Sequence, residues 1–201
     1  MTPYYERDDI TIYHGDCREI LPGLEYEAVI SDPPYGMNYD TNGKRFTLGG
    51  RSLPRITGDS EPFDPSLWID RPSILWGFNH FPTSLPPGAA LIWLKRSDAA
   101  FGKFLSDAEI AWSNIGCGVY AYRDTQHAIA CERQHPTQKP VGLMRWCIRR
   151  CAAQTILDPF IGSGTTLVAA KLEGRKAIGI EIEEKYCEIA ANRLRQGVLP
   201  L

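Results

Sequence analysis

The tetrapeptide Asp32-Pro-Pro-Tyr35 combines a carboxylate, two prolines and an aromatic ring directly after a short apolar run. The prolines lack backbone N–H donors, so the carbonyl groups of this segment are free to accept hydrogen bonds. A carboxylate beside such a carbonyl suits a planar amino group that carries two N–H bonds. The ring of Tyr35 offers a face on which a base can stack. A merely rigid turn is the alternative, because Pro-Pro turns are frequent in loops.

A second group of candidate residues lies in the C-terminal part, in and after the segment Asp158-Pro-Phe-Ile-Gly-Ser-Gly164. Gly162 and Gly164 stand between a predicted strand and a predicted helix, where backbone amides and the positive helix end can face an anionic ligand. A structural turn with two glycines is the alternative. Glu181, at the end of the next predicted strand, suits both hydroxyls of a ribose, or else a helix N-terminus.

Hydrophobic periodicity and turn residues predict alternating strands and helices that would position these groups. The predicted strands cover residues 10–13, 27–31, 73–76, 89–94, 109–112, 118–122, 155–157 and 176–182, with 109–112 and 118–122 paired as a last hairpin. The predicted helices cover residues 17–24, interrupted at Pro22, an amphipathic segment after Pro140, and residues 165–172 and 183–195.

The order of these elements predicts an unusual closure of the sheet. The C-terminal strand-loop-helix-strand-helix is half of a mononucleotide site, and it supplies two strands before Leu201. A parallel sheet needs more strands, which upstream residues must supply. The unit that ends in Asp32 is the natural continuation. The sequence therefore predicts an α/β fold with circularly permuted order, in a single domain over residues 1–201.

Composition limits the possible partners and the compartment. The chain has 201 residues and a net charge of −2, but residues 41–58 carry four basic side chains and no acid, and residues 123–150 carry six basic and two acidic ones. Such segregation fits a local phosphate-binding surface, although solvated basic faces would look the same. No run approaches the ~18 apolar residues of a membrane span, and no secretory signal begins the chain. We expect a soluble, cytoplasmic protein.

Six cysteines are spread along the chain without a C-x-x-C pair, which predicts neither a disulfide framework nor a thiolate zinc site. Cys117, His127, Cys131 and His135 are four potential metal ligands. Their spacing matches no common zinc pattern. We therefore expect no metal and read the cysteines as reduced thiols.

The two chemical segments together resemble a known enzyme family. Ser31-Asp-Pro-Pro-Tyr-Gly36 followed by Asp158-Pro-Phe-Ile-Gly-Ser-Gly-Thr-Thr166 is similar to the S-adenosylmethionine-dependent DNA amino-methyltransferases, which modify adenine N6 or cytosine N4. Their order resembles the permuted β group. Further matches, which resemble compact phage and prophage members, are His14-Gly-Asp16, Trp76-Gly-Phe-Asn-His80, Trp93-Leu-Lys-Arg96 and His135-Pro-Thr-Gln-Lys-Pro140.

This resemblance implies a Rossmann-like class I methyltransferase fold and assigns a role to each matching residue. The implied catalytic residues are Asp32, Pro33, Pro34 and Tyr35. The implied S-adenosylmethionine site has ten members. Glu181 would bind the ribose and Asp16 the adenine amino group, while Thr137 and Lys139 would lie at the methionine end. The residues around the methionine part would be Asp158, Phe160, Gly162 and Gly164, and the site would further include Asp32 and Thr165. The match also makes His135 an implausible zinc ligand.

The resemblance further implies a duplex DNA substrate and a part in restriction-modification. Asp at the first position of the tetrapeptide is mostly associated with adenine N6, and Ser there with cytosine N4. Residues 36–65 and 98–134 are the candidate DNA-contacting segments, since no separate large recognition domain is present. An RNA or protein-amide methyltransferase and a catalytically silent nucleic-acid-binding relative are the competing hypotheses, and a homodimer is left open.

Overall fold

The protein is represented by a computed structural model that describes residues 2–37, 60–103, 106–124 and 138–196. The strands in these residues are β1 Tyr5–Arg7, β2 Ile10–His14, β3 Ala28–Ser31, β4 Ser73–Trp76, β5 Ala89–Leu94, β6 Ala108–Ser113, β7 Val119–Arg123, β8 Thr155–Asp158 and β9 Lys176–Glu181. The helices are α1 Cys17–Ile20, α2 Val141–Arg149, α3 Thr165–Leu172 and α4 Glu184–Arg195. Short 3-10 turns cover Leu21–Gly23, Pro65–Leu67, Phe78–His80, Pro82–Ser84 and Asp98–Ala100.

All nine described strands form one sheet in the order β1-β2-β9-β8-β3-β4-β6-β5-β7. The central strands β2, β9, β8, β3 and β4 are parallel to one another, whereas β1 is antiparallel to β2 and β6 is antiparallel to both β4 and β5. The N-terminal strands β2 and β3 thus flank the C-terminal strands β9 and β8. This arrangement confirms the predicted α/β fold and its permuted order.

Two predicted elements differ from the structure. The strands β6 and β7 do not form a hairpin, because β5 lies between them, antiparallel to β6 and parallel to β7. In this position β5 pairs along both of its edges, and β6 is bonded to both β4 and β5. The first helix ends at Ile20 and continues as the 3-10 turn Leu21–Gly23, because Pro22 has no N–H to extend an α-helix.

Alternation along the central strands divides the core between the two faces of the sheet. In β3, Ala28 and Ile30 belong to a large cluster that includes side chains of α2, α3 and α4, whereas Val29 belongs to a smaller cluster with Cys17 and Trp68. Successive strand side chains point to opposite faces, so both faces are covered. A strand that is buried on both faces fixes the position of the residues that follow it.

The helix after Pro140 agrees with the predicted amphipathic pattern. Leu143, Met144, Cys147 and Ile148 are buried, and they recur at the spacing of one helical face. Among the described helices, none has the length and apolar character that a membrane crossing requires.

Candidate active site

Most of the candidate residues lie along one edge of the sheet. The parallel strands β2, β9, β8, β3 and β4 end at this edge, where Asp16, Glu181, Asp158, Asp32 and Gly77 lie at or just beyond the strand ends. The carboxyl ends of parallel strands are where open α/β sheets bind ligands. The structure therefore brings the N-terminal and C-terminal candidate residues to one edge of the sheet.

Asp158 is the most buried carboxylate of this edge, with 3% of its surface exposed. The Ser31 hydroxyl donates to its Oδ1 at 2.6 Å, and the backbone N–H of Phe160 donates to the same oxygen at 3.1 Å. Burial raises the pKa of Asp158 to about 6, although hydrogen bonds from Ser31, Thr166 and Phe160 oppose the rise. A desolvated carboxylate of this kind is stabilised by a nearby cation.

The glycine loop after Asp158 has the backbone that its sequence predicts. Gly162 and Gly164 both have positive φ, at 49° and 79°, which side chains rarely allow. A Cβ on Gly164 would also lie 2.6 Å from the Cβ of Ala190. Both features explain why this loop is made of glycine at these positions.

Arg193 on α4 supports the loop, and the sequence analysis did not identify it. Its Nη1 donates to the carbonyl of Ser163 at 2.5 Å and to Oγ1 of Thr165 at 3.2 Å. Burial lowers the pKa of Arg193. The loop is thus fixed by a side chain of α4 that no local sequence motif indicates.

Glu181 is fixed to the same loop. Its Oε2 accepts a hydrogen bond from the N–H of Gly162 at 2.9 Å, and its Oε1 accepts one from the N–H of Glu183 at 2.9 Å. The side chain is 9% exposed, and burial raises its pKa. Because each carboxylate oxygen has two acceptor sites, both oxygens can still accept a ligand hydroxyl.

Asp16 caps α1 and lies beside Glu181. The N–H of Gly15 donates to the Glu181 carbonyl at 2.9 Å, which ties the two strand ends together. The Asp16 carboxylate accepts from the backbone N–H of Arg18 at 2.9 Å and from its guanidinium Nη2 at 2.5 Å, and these bonds lower the Asp16 pKa. A ligand group at Asp16 would therefore compete with the exposed side chain of Arg18.

Both carboxylate oxygens of Asp32 have partners within the protein. The Tyr35 hydroxyl donates to Oδ1, and the ammonium of Lys139 lies 2.6 Å from Oδ2. Lys139 is 6% exposed. The structure thus joins Lys139 directly to Asp32, whereas the family resemblance implied a place for it at the methionine end of the cofactor.

Two further charged residues, Glu109 and Lys95, form ion pairs next to Lys139, and no sequence motif assigns either of them to the site. Glu109 Oε2 lies 3.0 Å from the Lys139 ammonium, and Glu109 Oε1 lies 2.9 Å from the ammonium of Lys95. Burial opposes ionisation of Glu109, but Lys139 and Lys95 lower its pKa to about 2. Burial also lowers the pKa of Lys139, yet the charges around it, Asp32 foremost, raise that pKa well above its ordinary value.

The ring of Tyr35 is held by the segment after β4. The imidazole of His80 stacks on it, with ring centroids 4.7 Å apart and an interplanar angle of 15°. Gly77 has φ of 77°, and a Cβ on it would overlap the Tyr35 ring. Burial, and then the charge of Asp32, raise the Tyr35 pKa well above its ordinary value, so it remains a hydroxyl donor. The pentapeptide that ends at His80 therefore contacts the tetrapeptide Asp32-Pro-Pro-Tyr35.

One residue of the implied cofactor site and three of the rejected metal-ligand candidates fall outside the described residues. These are Thr137, His127, Cys131 and His135. Cys117 is described, and its side chain is exposed. The described part of the chain contains no group of three His, Cys, Asp or Glu residues that could hold a metal ion.

The described arginines of residues 123–150 all have contacts within the protein. Arg145 and Arg149 bond the carboxylate of Glu173 at 2.6 and 2.8 Å. Arg123 pairs with Asp98, and the Arg150 guanidinium lies over the rings of Tyr120 and Trp146. Residues 41–58, the other basic segment, lie outside the described residues. The described arginines of residues 123–150 are thus engaged within the protein, which weighs against the expected phosphate contacts in this part of the segment.

Comparison with known proteins gives the family. Residues 101–192 match the N6/N4 methyltransferase family described as DNA methylase. The chain is 51% identical to the type II methyltransferase M2.DpnII of Streptococcus pneumoniae, across 96% of the chain and 92% of that protein. It is 45% identical to M2.MboI of Moraxella bovis, across 98% and 92%. The chain belongs to this DNA methylase family.

Solved structures share the fold of this methylase. The complex of M1.HpyAVI with SAM has a TM-score of 0.58 and 22% identity, and the match covers 92% of this chain and 99% of that one. The PvuII DNA methyltransferase, described as cytosine-N4-specific, has a TM-score of 0.62 and 17% identity, over 99% and 90%. The alignment with M2.DpnII spans 249 positions, more than the 201 residues of this methylase. That relative therefore carries residues without a counterpart here.

Proposed function

We propose that this DNA methylase transfers a methyl group from S-adenosylmethionine to the N6 amino group of an adenine that has left the duplex. One observation carries the proposal: the Ser31 hydroxyl bonds Asp158 at 2.6 Å. This bond lies between the strand that ends at the amino-accepting Asp32 and the strand that leads into the glycine loop. The site proposed for the methyl donor is therefore adjacent to the site proposed for the amino group that receives the methyl.

The residues of the glycine loop fit S-adenosylmethionine by their chemistry. Asp158 is a buried acid that a cationic ligand would stabilise. Glu181 presents a carboxylate with spare acceptor capacity beside the loop, which suits ribose hydroxyls, and Asp16 offers a nearby acceptor for an amino group. When bound, the cofactor supplies a methyl group that is already activated on a sulfonium sulfur.

The protein then has to present the amino group with its lone pair free. The Asp32 carboxylate and the Pro33 carbonyl would accept the two amino hydrogens, which turns the lone pair out of conjugation as charge develops on the nitrogen. Each Asp32 oxygen already has one partner without substrate and keeps one further acceptor site, so the amino group adds to these partners or displaces one of them. The neutral Tyr35 hydroxyl can turn away, whereas Lys139 is charged and buried. We therefore assign Oδ1 to the amino group.

The choice of adenine is supported by Asp32 itself. In the families that this sequence resembles, Asp at this position is mostly associated with adenine N6. The charged acceptor would serve the amino group of cytosine equally well, and the fold is shared with a cytosine-N4-specific enzyme. The base is thus inferred from the tetrapeptide and not from the fold. Duplex DNA as the substrate is consistent with action in the cytoplasm.

The deciding experiment identifies the methylated nucleoside. Mixed-sequence duplex DNA is incubated with the protein and methyl-labelled S-adenosylmethionine, digested, and separated by chromatography, with tRNA and total protein as parallel acceptors. We expect label in N6-methyldeoxyadenosine, and much less of it when Asp32 is replaced by Ala. Label in N4-methyldeoxycytidine would overturn the choice of base. Label confined to tRNA or protein would overturn DNA as the substrate.

A further inference from the structure

We infer that Glu109 is a positioning residue that acts on Asp32 through Lys139. The inference rests on the proposed role of Asp32 as the acceptor of the amino hydrogens. The ion pairs of Glu109 among the described residues are with Lys139 and Lys95, and not with the glycine loop or the proposed base position. Its effect on the reaction would pass through one ammonium group.

The antiparallel direction of β6 brings Glu109 to the catalytic edge. Glu109 is the second residue of β6 and pairs with Trp93 near the end of β5. Because β6 runs opposite to β4 and β5, its beginning lies at the edge where those strands end. Its carboxylate there meets Lys139, which precedes α2.

The ammonium of Lys139 lies between two carboxylates. Asp32 Oδ2 is 2.6 Å away and Glu109 Oε2 is 3.0 Å away. Only 6% of the Lys139 side chain is exposed, and a charge so deeply buried must be neutralised by its neighbours. With Glu109 in place, the charge of Lys139 is shared. Without Glu109, Asp32 alone would neutralise it.

This sharing matters because Asp32 both pairs with Lys139 and, in the proposed reaction, accepts the amino hydrogens. A carboxylate that alone neutralises a buried ammonium is a weaker acceptor for amino hydrogens, since the nearby positive charge opposes the positive charge that develops on the amino group. Glu109 shares the ion pairing of the Lys139 ammonium, so that Asp32 neutralises only part of its charge. Glu109 also limits where the ammonium can move. The Asp32 carboxylate thereby keeps both its orientation and its strength as an acceptor.

Lys95 completes a row of alternating charges. Its ammonium lies 2.9 Å from Glu109 Oε1, and about a quarter of its side chain is exposed. Among the described residues, the other groups that face Lys139 are the Tyr35 hydroxyl, the thiol of Cys147 on α2 and the Trp76 ring, whose centroid is 5.8 Å away. Asp32 and Glu109 are therefore the carboxylates that balance Lys139.

The arrangement predicts a pH effect that a purely structural role would not produce. The negative charge of Glu109 is one of the causes that raise the pKa of Lys139. When that charge is removed, Lys139 loses its proton at a lower pH. Neutral Lys139 no longer holds Asp32 Oδ2 in an ion pair, so the carboxylate loses its fixed orientation and the alkaline limit of methyl transfer should move to lower pH in Glu109→Gln.

The test compares Glu109→Gln with the parent and with Glu173→Gln. Glu173 is a matched control, because its carboxylate also bonds two cations and has a pKa of about 2, but it lies between α2 and α3. We expect Glu109→Gln to lower kcat by about 10- to 100-fold, as small misplacements do. The affinity for S-adenosylmethionine measured by calorimetry should be unchanged. Glu173→Gln should lower the melting temperature and leave kcat and the pH profile at parent values.

The outcomes separate this inference from the proposed function. Parent kcat together with a parent pH profile in Glu109→Gln would overturn the inference. If that variant fails to fold, Glu109→Asp keeps the charge with a shorter reach, and it should lower kcat while retaining the alkaline limit. Parent kcat in Glu109→Asp would then overturn the inference. If Asp32→Ala itself keeps parent activity, the proposed function fails instead.

Discussion

The Ser31 hydroxyl donates a 2.6 Å hydrogen bond to Asp158 Oδ1 and so joins two segments 127 positions apart in the chain. Their strands β3 and β8 are parallel neighbours. Asp32 follows Ser31 directly, and the glycine loop follows Asp158 directly. Because methyl transfer needs its reacting atoms about 3–3.5 Å apart and aligned, this bond links the two halves of the site at the point where alignment matters.

Replacement of Asp32 by Ala should remove most methyl transfer and leave cofactor binding in place. The carboxylate accepts from Tyr35 and Lys139, and in the proposed reaction it accepts from the amino group. Loss of one such preorganised group typically costs about 10²- to 10³-fold in rate. Label incorporation into DNA measures the rate, and calorimetry with S-adenosylmethionine measures binding. Activity within about tenfold of the parent would contradict the assigned role.

Asp158 should make the stability of the ligand-free protein fall as pH rises. Its folded-state pKa is about 6, above the ordinary 3.8, so the folded protein binds the proton more tightly. The stabilisation is present below about pH 4 and is lost by about pH 6, by about 3 kcal/mol. Urea unfolding from pH 4 to 7 measures it as the difference between the parent and Asp158→Asn. A difference that does not change with pH would contradict this assignment.

The same proton should compete with the cationic cofactor. Affinity for S-adenosylmethionine is therefore expected to fall as pH drops through about 6, because protonated Asp158 no longer attracts a cation. Ser31→Ala removes a hydrogen bond to the charged form, so the fall should begin at higher pH. Ser113→Ala is the matched control, since Ser113 is equally buried and bonds the N–H of Ile115 instead. It should follow the parent curve.

The residues that could be predicted from the sequence are those whose role is local. Asp158, Gly162, Gly164 and Glu181 lie at strand ends or in one turn, where apolar periodicity and glycine mark the position. The permuted order could also be predicted, because a C-terminal half with two strands needs partners from upstream. For the four residues the evidence lies within a few consecutive residues, and for the permuted order it lies in the sequence of predicted elements.

Glu109, His80 and Arg193 could not be assigned from the sequence, because their roles depend on pairing between distant segments. Glu109 reaches the site through the antiparallel direction of β6, and the expected hairpin with β7 would not have indicated it. Arg193 contacts Ser163 across the packing of α4 against the loop. A single charged residue in a strand or helix carries no local pattern that would distinguish it from a solvent-exposed one.

Gly77→Ala should disrupt the placement of the Tyr35 ring. A Cβ at Gly77 would overlap that ring, and φ at this position is 77°. Gly102→Ala is a matched control, because Gly102 has φ of 73° but nothing within 4 Å of the added Cβ. Both variants should lose about 1 kcal/mol or more from backbone strain. Only Gly77→Ala should also lower methyl transfer, by at least about tenfold. Equal activities would contradict the role of the Tyr35 position.

Changes at the glycine loop should weaken cofactor binding. Gly162→Val fills the space through which a ligand would approach the backbone, at a residue with φ of 49°. Glu181→Ala and Asp16→Ala remove the acceptors proposed for the ribose and the adenine amino group. Gly174→Ala is the control, because Gly174 also has positive φ but lies beyond the end of α3 in open space. Calorimetry that finds parent affinity in all three loop and strand-end variants would locate the cofactor elsewhere.

DNA binding should weaken as salt rises, with the basic residues contributing unequally. Each neutralised phosphate adds about −0.9 to the slope of log affinity against log salt. Arg149 bonds Glu173 at 2.8 Å, so Arg149→Ala should leave the slope unchanged. Lys44 and Arg51 belong to the basic segment 41–58, which contains no acid. Lys44→Ala and Arg51→Ala should therefore each make the slope shallower by about 0.9. Fluorescence anisotropy with labelled duplex at several salt concentrations measures the slope. A slope near zero for the parent would contradict phosphate contacts altogether. A shallower slope in Arg149→Ala would show that Arg149, within residues 123–150, does contact phosphate.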